Sequence, residues 1–181
     1  MNRIKLILPT GEYERQVIDY KNEHNEASDY KILGSGGLSE TYNFQTWLET
    51  QMNSHQGKDL PENIVANTTF LAVSIENNKL IGMINIRHTL NDHLSKYGGH
   101  IGYGIRPCER GFGYATEMLE LAIIEAHKLG IDDVIISCNK NNGPSNKVIQ
   151  KNDGILFEEV FNPISKDIKN RYVFNKSKGT I

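Results

Sequence analysis

The chain has 181 residues, 38% of them hydrophobic, which is enough to bury one core and too few to favour two, so a single domain over 1–181 is expected. With 20 Lys and Arg against 22 Asp and Glu the formal charge is −2 at pH 7, and the basic footprint of a nucleic-acid binder is missing. No apolar run approaches membrane-spanning length, Pro9 closes the patch in MNRIKLILPT too early for a signal sequence, and Cys108 and Cys138 stand far apart without metal-like spacing, so a cytoplasmic protein with reduced thiols and no membrane partner is expected.

In chain order, RIKLIL reads as a short strand, and Thr10 after Pro9 is placed to cap a helix with Tyr13, Val17 and Tyr20 on one face. ASDYKILGSGGLSE, with Gly34, Gly36 and Gly37, breaks every periodicity and is a loop. Thr41 or Asn43 starts a second helix through Phe44, Trp47, Leu48 and Met52 that stops near Gly57. TFLAVSI and LIGMINIRH around a turn at 76–78 form a hairpin, and GGHIGYGIRP is a further strand.

The clearest helix runs from about Tyr114 to Leu129, with Ala115, Met118, Leu119, Ala122, Ile123, Ala126 and Leu129 at spacings of three and four, and Gly130 as its stop. DVIISC is a buried strand, NNGPSNKVIQKN a short helix with Pro144 in its first turn, and ILFEEVF and IKNRYVFN two closing strands around Pro163. The order β-α-α-β-β-β-α-β-α-β-β predicts an α/β (α+β) domain: a mixed, mostly antiparallel twisted central sheet of about seven strands flanked by four helices.

The stretch RPCERGFGYAT carries the strongest chemical signal. A helix N-terminus offers backbone N–H groups without partners at the positive end of its dipole, and Gly111 and Gly113 remove the side chains that would keep an anion from the backbone. Arg110 adds a charged fork. Tyr114 and Ala115 occupy the place of the lysine and hydroxyl residue of a P-loop, and GYGIRP does not follow the dinucleotide fingerprint.

Arg110, Gly113 and Ala115 in the pattern Arg-x-x-Gly-x-Ala resemble the acetyl-coenzyme A signature of the GNAT superfamily of N-acetyltransferases. Downstream, NNGPSNKVIQKNDG resembles that superfamily's Asn-x-x-Ser helix, with Asn142 and Ser145 in the matching places. IRHTLNDHL, GGHIGYGIRP and RGFGYATEMLELA together are similar to a bacterial branch labelled only as acetyltransferases, and the resemblance covers nearly all of the chain. It implies the acyl-coenzyme A N-acyltransferase fold and acetyl-coenzyme A as co-substrate, with no metal. It also implies that the N–H groups of Arg110, Gly111, Phe112, Gly113, Tyr114 and Ala115, with Thr116 beside them, cradle the pyrophosphate. Ile105 and Arg106 would run along the pantetheine, which Asn142 and Ser145 would contact near its thiol; simple capping of the short helix is the alternative for that pair.

The reaction so implied is direct attack of a primary amine, on a small molecule or a peptide, in a ternary complex. It needs a base, a donor to the carbonyl oxygen and a proton for the thiolate. His100 stands where relatives with EIGY carry a glutamate and is the first candidate base; His88 and Asp92 in RHTLNDHL would orient the amine or serve in its place. A metal site at His88, Asp92 and His93 has no familiar ligand spacing. Many superfamily members place a proton-donating tyrosine where this chain has Ile149, so either Tyr103 or Tyr114 would replace it, or the reaction would run with water or an unprotonated leaving group. The acceptor cleft is expected around 13–56, with Trp47, Tyr42 and Phe44 either lining it or belonging to the core. A monomer or homodimer is expected, and a non-catalytic acyl-coenzyme A sensor or interaction module on the same fold is the competing reading.

Overall fold

The computed structural model describes residues 2–176, and the ends of the expected domain beyond them lie outside the described residues. The elements are β1 (Ile4–Ile7), α1 (Glu14–Glu26), α2 (Phe44–Gln56), β2 (Asn67–Ser74), β3 (Leu80–Arg87), β4 (Ile101–Ile105), α3 (Tyr114–Lys128), β5 (Asp133–Asn139), α4 (Gly143–Lys151), β6 (Ile155–Asn162) and β7 (Asp167–Asn175). This is the predicted order. Asn43, not Thr41, caps α2 by accepting the Thr46 N–H at 2.8 Å, and Gly57 closes that helix in a left-handed conformation. Thr10 makes no side-chain cap; a short 3-10 turn over Gly11–Tyr13 precedes α1. Met52 and Leu129 fall outside their helices' buried faces and are exposed.

The seven strands do not make one continuous sheet. They form two antiparallel sheets, β1-β2-β3-β4 and β5-β7-β6. The sheets touch at one end only, where Gly99 bridges Ile136 and the His100 N–H donates to the Ile135 carbonyl at 2.6 Å. Which strand lies beside which is a long-range choice, so the local patterns that located each strand did not show that β4 and β5 part.

β3 builds a core on each face of the first sheet, and a bulge near Ile81, where Ala72 pairs with Gly82 and Val73 with Leu80, shifts its alternation by one residue. Ile81, Ile84 and Ile86 join Met118, Leu119, Ala122 and Ala126 of α3, while Leu80 and Met83 join Val17 and Tyr20 of α1 and Phe44, Trp47 and Leu48 of α2. Burying each such side chain stabilises the fold by about 1.5–3 kcal/mol. The strand ends and helix starts that remain between the two cores form the site.

Candidate active site

At the start of α3 the backbone is shaped by glycine. Gly111 and Gly113 have φ of 87° and 84°, a region costly for other residues, and Gly113 is the N-terminal flanking residue of the helix. The N–H groups of Gly111, Phe112, Gly113, Tyr114 and Ala115 have no acceptor among the described residues. Those of Arg110 and Thr116 are taken by the carbonyls of Pro107 and Gly113, so the row of free donors is narrower than the sequence suggests.

Arg110 donates from Nε to the Ile105 carbonyl at 3.1 Å and from Nη2 to Asp29 at 2.6 Å, which holds its fork at the rim. Arg3 was not found by sequence reasoning, because nothing local connects it to this loop. It donates to the Phe112 carbonyl at 3.0 Å, lies over the Tyr114 ring and pairs with Glu117 at 3.0 Å. Glu117 also accepts the N–H groups of Arg3 and Ile4, so a carboxylate in the first turn of α3 pins β1 against it.

From this cradle β4 leads towards the joint. The His100 carbonyl accepts from Arg87, and the Arg106 N–H donates to Ile81, so alternate residues of β4 face β3. By the same alternation the backbone groups of Ile101, Tyr103 and Ile105 face the gap towards β5. Arg106 does not join Ile105 there. Its guanidinium is buried against α1, near Glu23 and over the Tyr20 ring.

Across the gap, Tyr103 Oη and Ser145 Oγ are hydrogen-bonded at 2.9 Å, and burial pushes the Tyr103 pKa up to about 12. Ser145 sits in the first turn of α4, where its N–H donates to Asn142 Oδ1 at 3.1 Å, so Asn142 caps the helix. Ile149 is fully buried in the core and presents no hydroxyl. Asn146, which sequence reasoning passed over, is the hub of this corner. Its Oδ1 accepts from Tyr172 at 2.7 Å, Asn170 at 2.8 Å and Cys138 at 3.2 Å, and its Nδ2 reaches the carbonyls of Asn139, Lys140 and Asn142. Cys138 is partly buried, with its thiol pKa raised by burial, and Cys108 is exposed; both are free.

His100 is buried at the joint, and its Nδ1 accepts the Ile135 N–H at 3.0 Å. Burial, followed by the nearby Arg87 guanidinium, lowers its pKa. A neutral imidazole that accepts at Nδ1 carries its proton on Nε2 and has no lone pair left for a substrate proton. In this arrangement the residue expected as base joins the two sheets. His88 also lies apart from the cleft: its Nε2 and His55 Nδ1 each bond Thr68 Oγ1 at 2.8 Å, and burial lowers its pKa, with His55 adding to the effect.

A cleft of about 1030 Å³ opens on the α1–α2 side of the first sheet. Its walls are the 31–40 loop, α2 and the 61–65 and 91–94 segments, and Asp92 and His93 stand on its lining. The floor is a polar chain in which Asn85 donates to Asn67 at 2.6 Å and Thr69 at 2.9 Å, and Thr69 donates to Gln51 at 2.7 Å. Gly34, at φ 74°, lies so close to β4 that an added Cβ would sit 2.5 Å from the Tyr103 Cα. Trp47 and Phe44 are core residues, and Tyr42 is fully exposed. Among the described residues no three His, Cys, Asp or Glu side chains cluster as metal ligands.

The family model for the acetyltransferase (GNAT) domain matches residues 16–154. The chain belongs to this family. GNAT enzymes use acetyl-coenzyme A, and the free N–H row at the glycine-shaped start of α3, open on its outer side, fits a diphosphate. No curated protein matches the sequence. Solved structures of GNAT fold do. The microcin C7 self-immunity acetyltransferase in complex with acetyl-coenzyme A and AMP is 18% identical, with a TM-score of 0.68 over 97% of this chain and 93% of that one. The acetyltransferase from Salmonella typhimurium that modifies the N-terminal serine of ribosomal protein L7/L12 is 15% identical, with a TM-score of 0.68 over 97% and 96%. Spermidine N-acetyltransferase from Vibrio cholerae is 15% identical, with a TM-score of 0.64 over 97% and 95%. At these identities the likeness is one of fold.

Proposed function

We propose that the chain acetylates a primary amine that enters through the 1030 Å³ cleft and attacks directly, in a ternary complex with the acetyl donor. The observation that carries the reading is the continuity of three features: free N–H groups at 111–115, the open edge of β4, and the Tyr103–Ser145 hydroxyl pair beside it. Acetyl-coenzyme A supplies the acetyl group as a thioester.

The N–H groups of Gly111 to Ala115 hold the diphosphate, with Arg110 and Arg3 at the rim. The Ile105 N–H and the backbone groups of Tyr103, which have no partner among the described residues, serve the pantetheine arm, and the Tyr103 N–H is the donor to the acyl oxygen. Tyr103, kept protonated by its burial, gives a hydrogen bond or proton to the departing sulfur, with Ser145 as its relay. Asp92, whose carboxylate has no hydrogen-bond partner among the described residues, draws the ammonium form into the cleft, and the proton leaves through cleft water past His93. His100 takes no part in proton transfer.

The test is thiol release from acetyl-coenzyme A across a panel of amines. Tyr103→Phe and Asp92→Asn should lower turnover at least tenfold, whereas His100→Gln should leave the pH profile of kcat in place. Tight acetyl-coenzyme A binding with no turnover on any amine would instead establish the sensor reading.

A further inference from the structure

Arg3, Arg106, Arg110 and Arg171 each face a carboxylate, namely Glu117, Glu23, Asp29 and Glu158. Arg87, at the end of β3, does not. It is partly buried, lines the cleft, and spends one donor, Nη1, on the Gly99 carbonyl at 2.9 Å. Its Nε and Nη2 have no acceptor among the described residues, and neither is sealed from solvent. Nη2 lies 3.9 Å from where a Gly102 Cβ would stand, which places the guanidinium beside the strand that carries Tyr103. Burial lowers its pKa with no carboxylate near enough to oppose the effect. The nearest acids of the cleft, Glu40, Glu62 and Asp92, line its walls without pairing to it.

A partly buried guanidinium with two donors open to the cleft and no paired anion is poised to take one, and its planar fork matches a carboxylate in two parallel hydrogen bonds. Resting on the acetyltransferase reading above, we infer that the acceptor is an amine that also carries a carboxylate, and that Arg87 holds this group in the cleft while the amine reaches Tyr103. The acceptor class is that of amino acids and short peptides with a free acid group, and polyamines and other purely cationic amines are excluded. The α-amine of a short peptide loses its proton at lower pH than an alkylamine, about 8 against about 10, so the peptide members of this class reach the attacking form more readily near neutrality.

The experiment uses the full chain with acetyl-coenzyme A and a panel of amino acids and dipeptides, each paired with its carboxamide. Thiol release and melting temperature are both followed. The wild type should prefer the acids, with KM on the order of 10- to 100-fold lower than for the amides, and the acids should raise the melting temperature of the coenzyme-bound protein more than the amides do. In Arg87→Gln the preference should vanish through KM, the acid and the amide of each pair coming to within about twofold of one another. Because Arg87 also holds the Gly99 carbonyl, Arg87→Lys serves as the second variant, and it should keep a reduced preference. An unchanged melting shift with acetyl-coenzyme A reports that each variant is folded.

The inference is overturned if no acid in the panel outperforms its amide on either measure, or if Arg87→Gln retains the preference. It is also overturned if kcat falls equally for acids and amides, since that pattern belongs to a group acting on the thioester. Failure of the acetyltransferase reading looks different: acetyl-coenzyme A would then support no thiol release with any amine, acid or amide.

Discussion

Gly113 and Gly130 stand at opposite ends of α3, and both need a left-handed backbone, with φ of 84° and 85°. An added Cβ at Gly113 meets nothing closer than Arg3 Nη2 at 3.6 Å, and at Gly130 it meets nothing within 4 Å. Alanine at either position therefore adds backbone strain without a clash, about 1–2 kcal/mol, or a fall of roughly 2–8 °C in melting temperature. Only Gly113 belongs to the anion cradle.

At a free acetyl-coenzyme A concentration of 100 Kd the wild type should gain about 2.7 kcal/mol. Turning one N–H away from a charged oxygen forfeits about 1.5–3 kcal/mol of binding, at least tenfold in Kd, which leaves at most about 1.4 kcal/mol of that gain. Thermal denaturation with and without acetyl-coenzyme A separates the two effects. Gly113→Ala and Gly130→Ala should melt at similarly reduced temperatures alone, but only Gly130→Ala should keep the full increment. Equal increments in the two variants would refute the assignment of the diphosphate to the start of α3.

Asn146→Ala should cost about 3 kcal/mol or more, because it strands the buried Tyr172 hydroxyl and Asn170 amide as well as backbone carbonyls, whereas Asn142→Ala should cost about 1 kcal/mol as a lost cap; urea denaturation ranks them. Gly34→Ala should lift the 31–40 loop, since its Cβ would press on backbone atoms of Tyr103, Gly102 and Met83, and should raise the KM of the acceptor more than that of acetyl-coenzyme A in steady-state kinetics. His24, His88 and His100 all have pKa values lowered by burial. The unfolded chain therefore binds more protons below about pH 6.5, so stability rises with pH through this window and is lost as pH falls from 6.5 towards the folded pKa values. Melting temperature measured against pH should show this slope, and His88→Gln should flatten it.

Periodicity and glycine placement located β1 to β7 and α1 to α4, though not the short helical turn at Leu94–Gly98, because these signals are local: a 3.6-residue apolar stripe for α3, and Asn43 and Gly57 at the two ends of α2. What the residues could not announce were partnerships made across the fold. The lone pair of His100 is taken by an amide 35 residues away, Arg106 turns to α1 and not to the gap, and Arg3 reaches a loop 109 residues distant. Asn146 looked like one more polar residue on a short helix until β5 and β7 closed around it. The unsatisfied fork of Arg87 was invisible for a related reason. Whether a charge has company is decided by every other element at once.

The parting of β4 from β5 leaves the backbone groups of Ile101 and Tyr103 and the Ile105 N–H unmated among the described residues, in the middle of the molecule, where most proteins tolerate such loose ends only along an outer margin. On the proposed function the acyl donor is a removable stave: its arrival would knit the two halves, and its departure as free thiol would undo the seam. Each catalytic cycle would then loosen and retighten the architecture itself, and the rate at which the spent carrier leaves would be a property of the scaffold as much as of the chemistry.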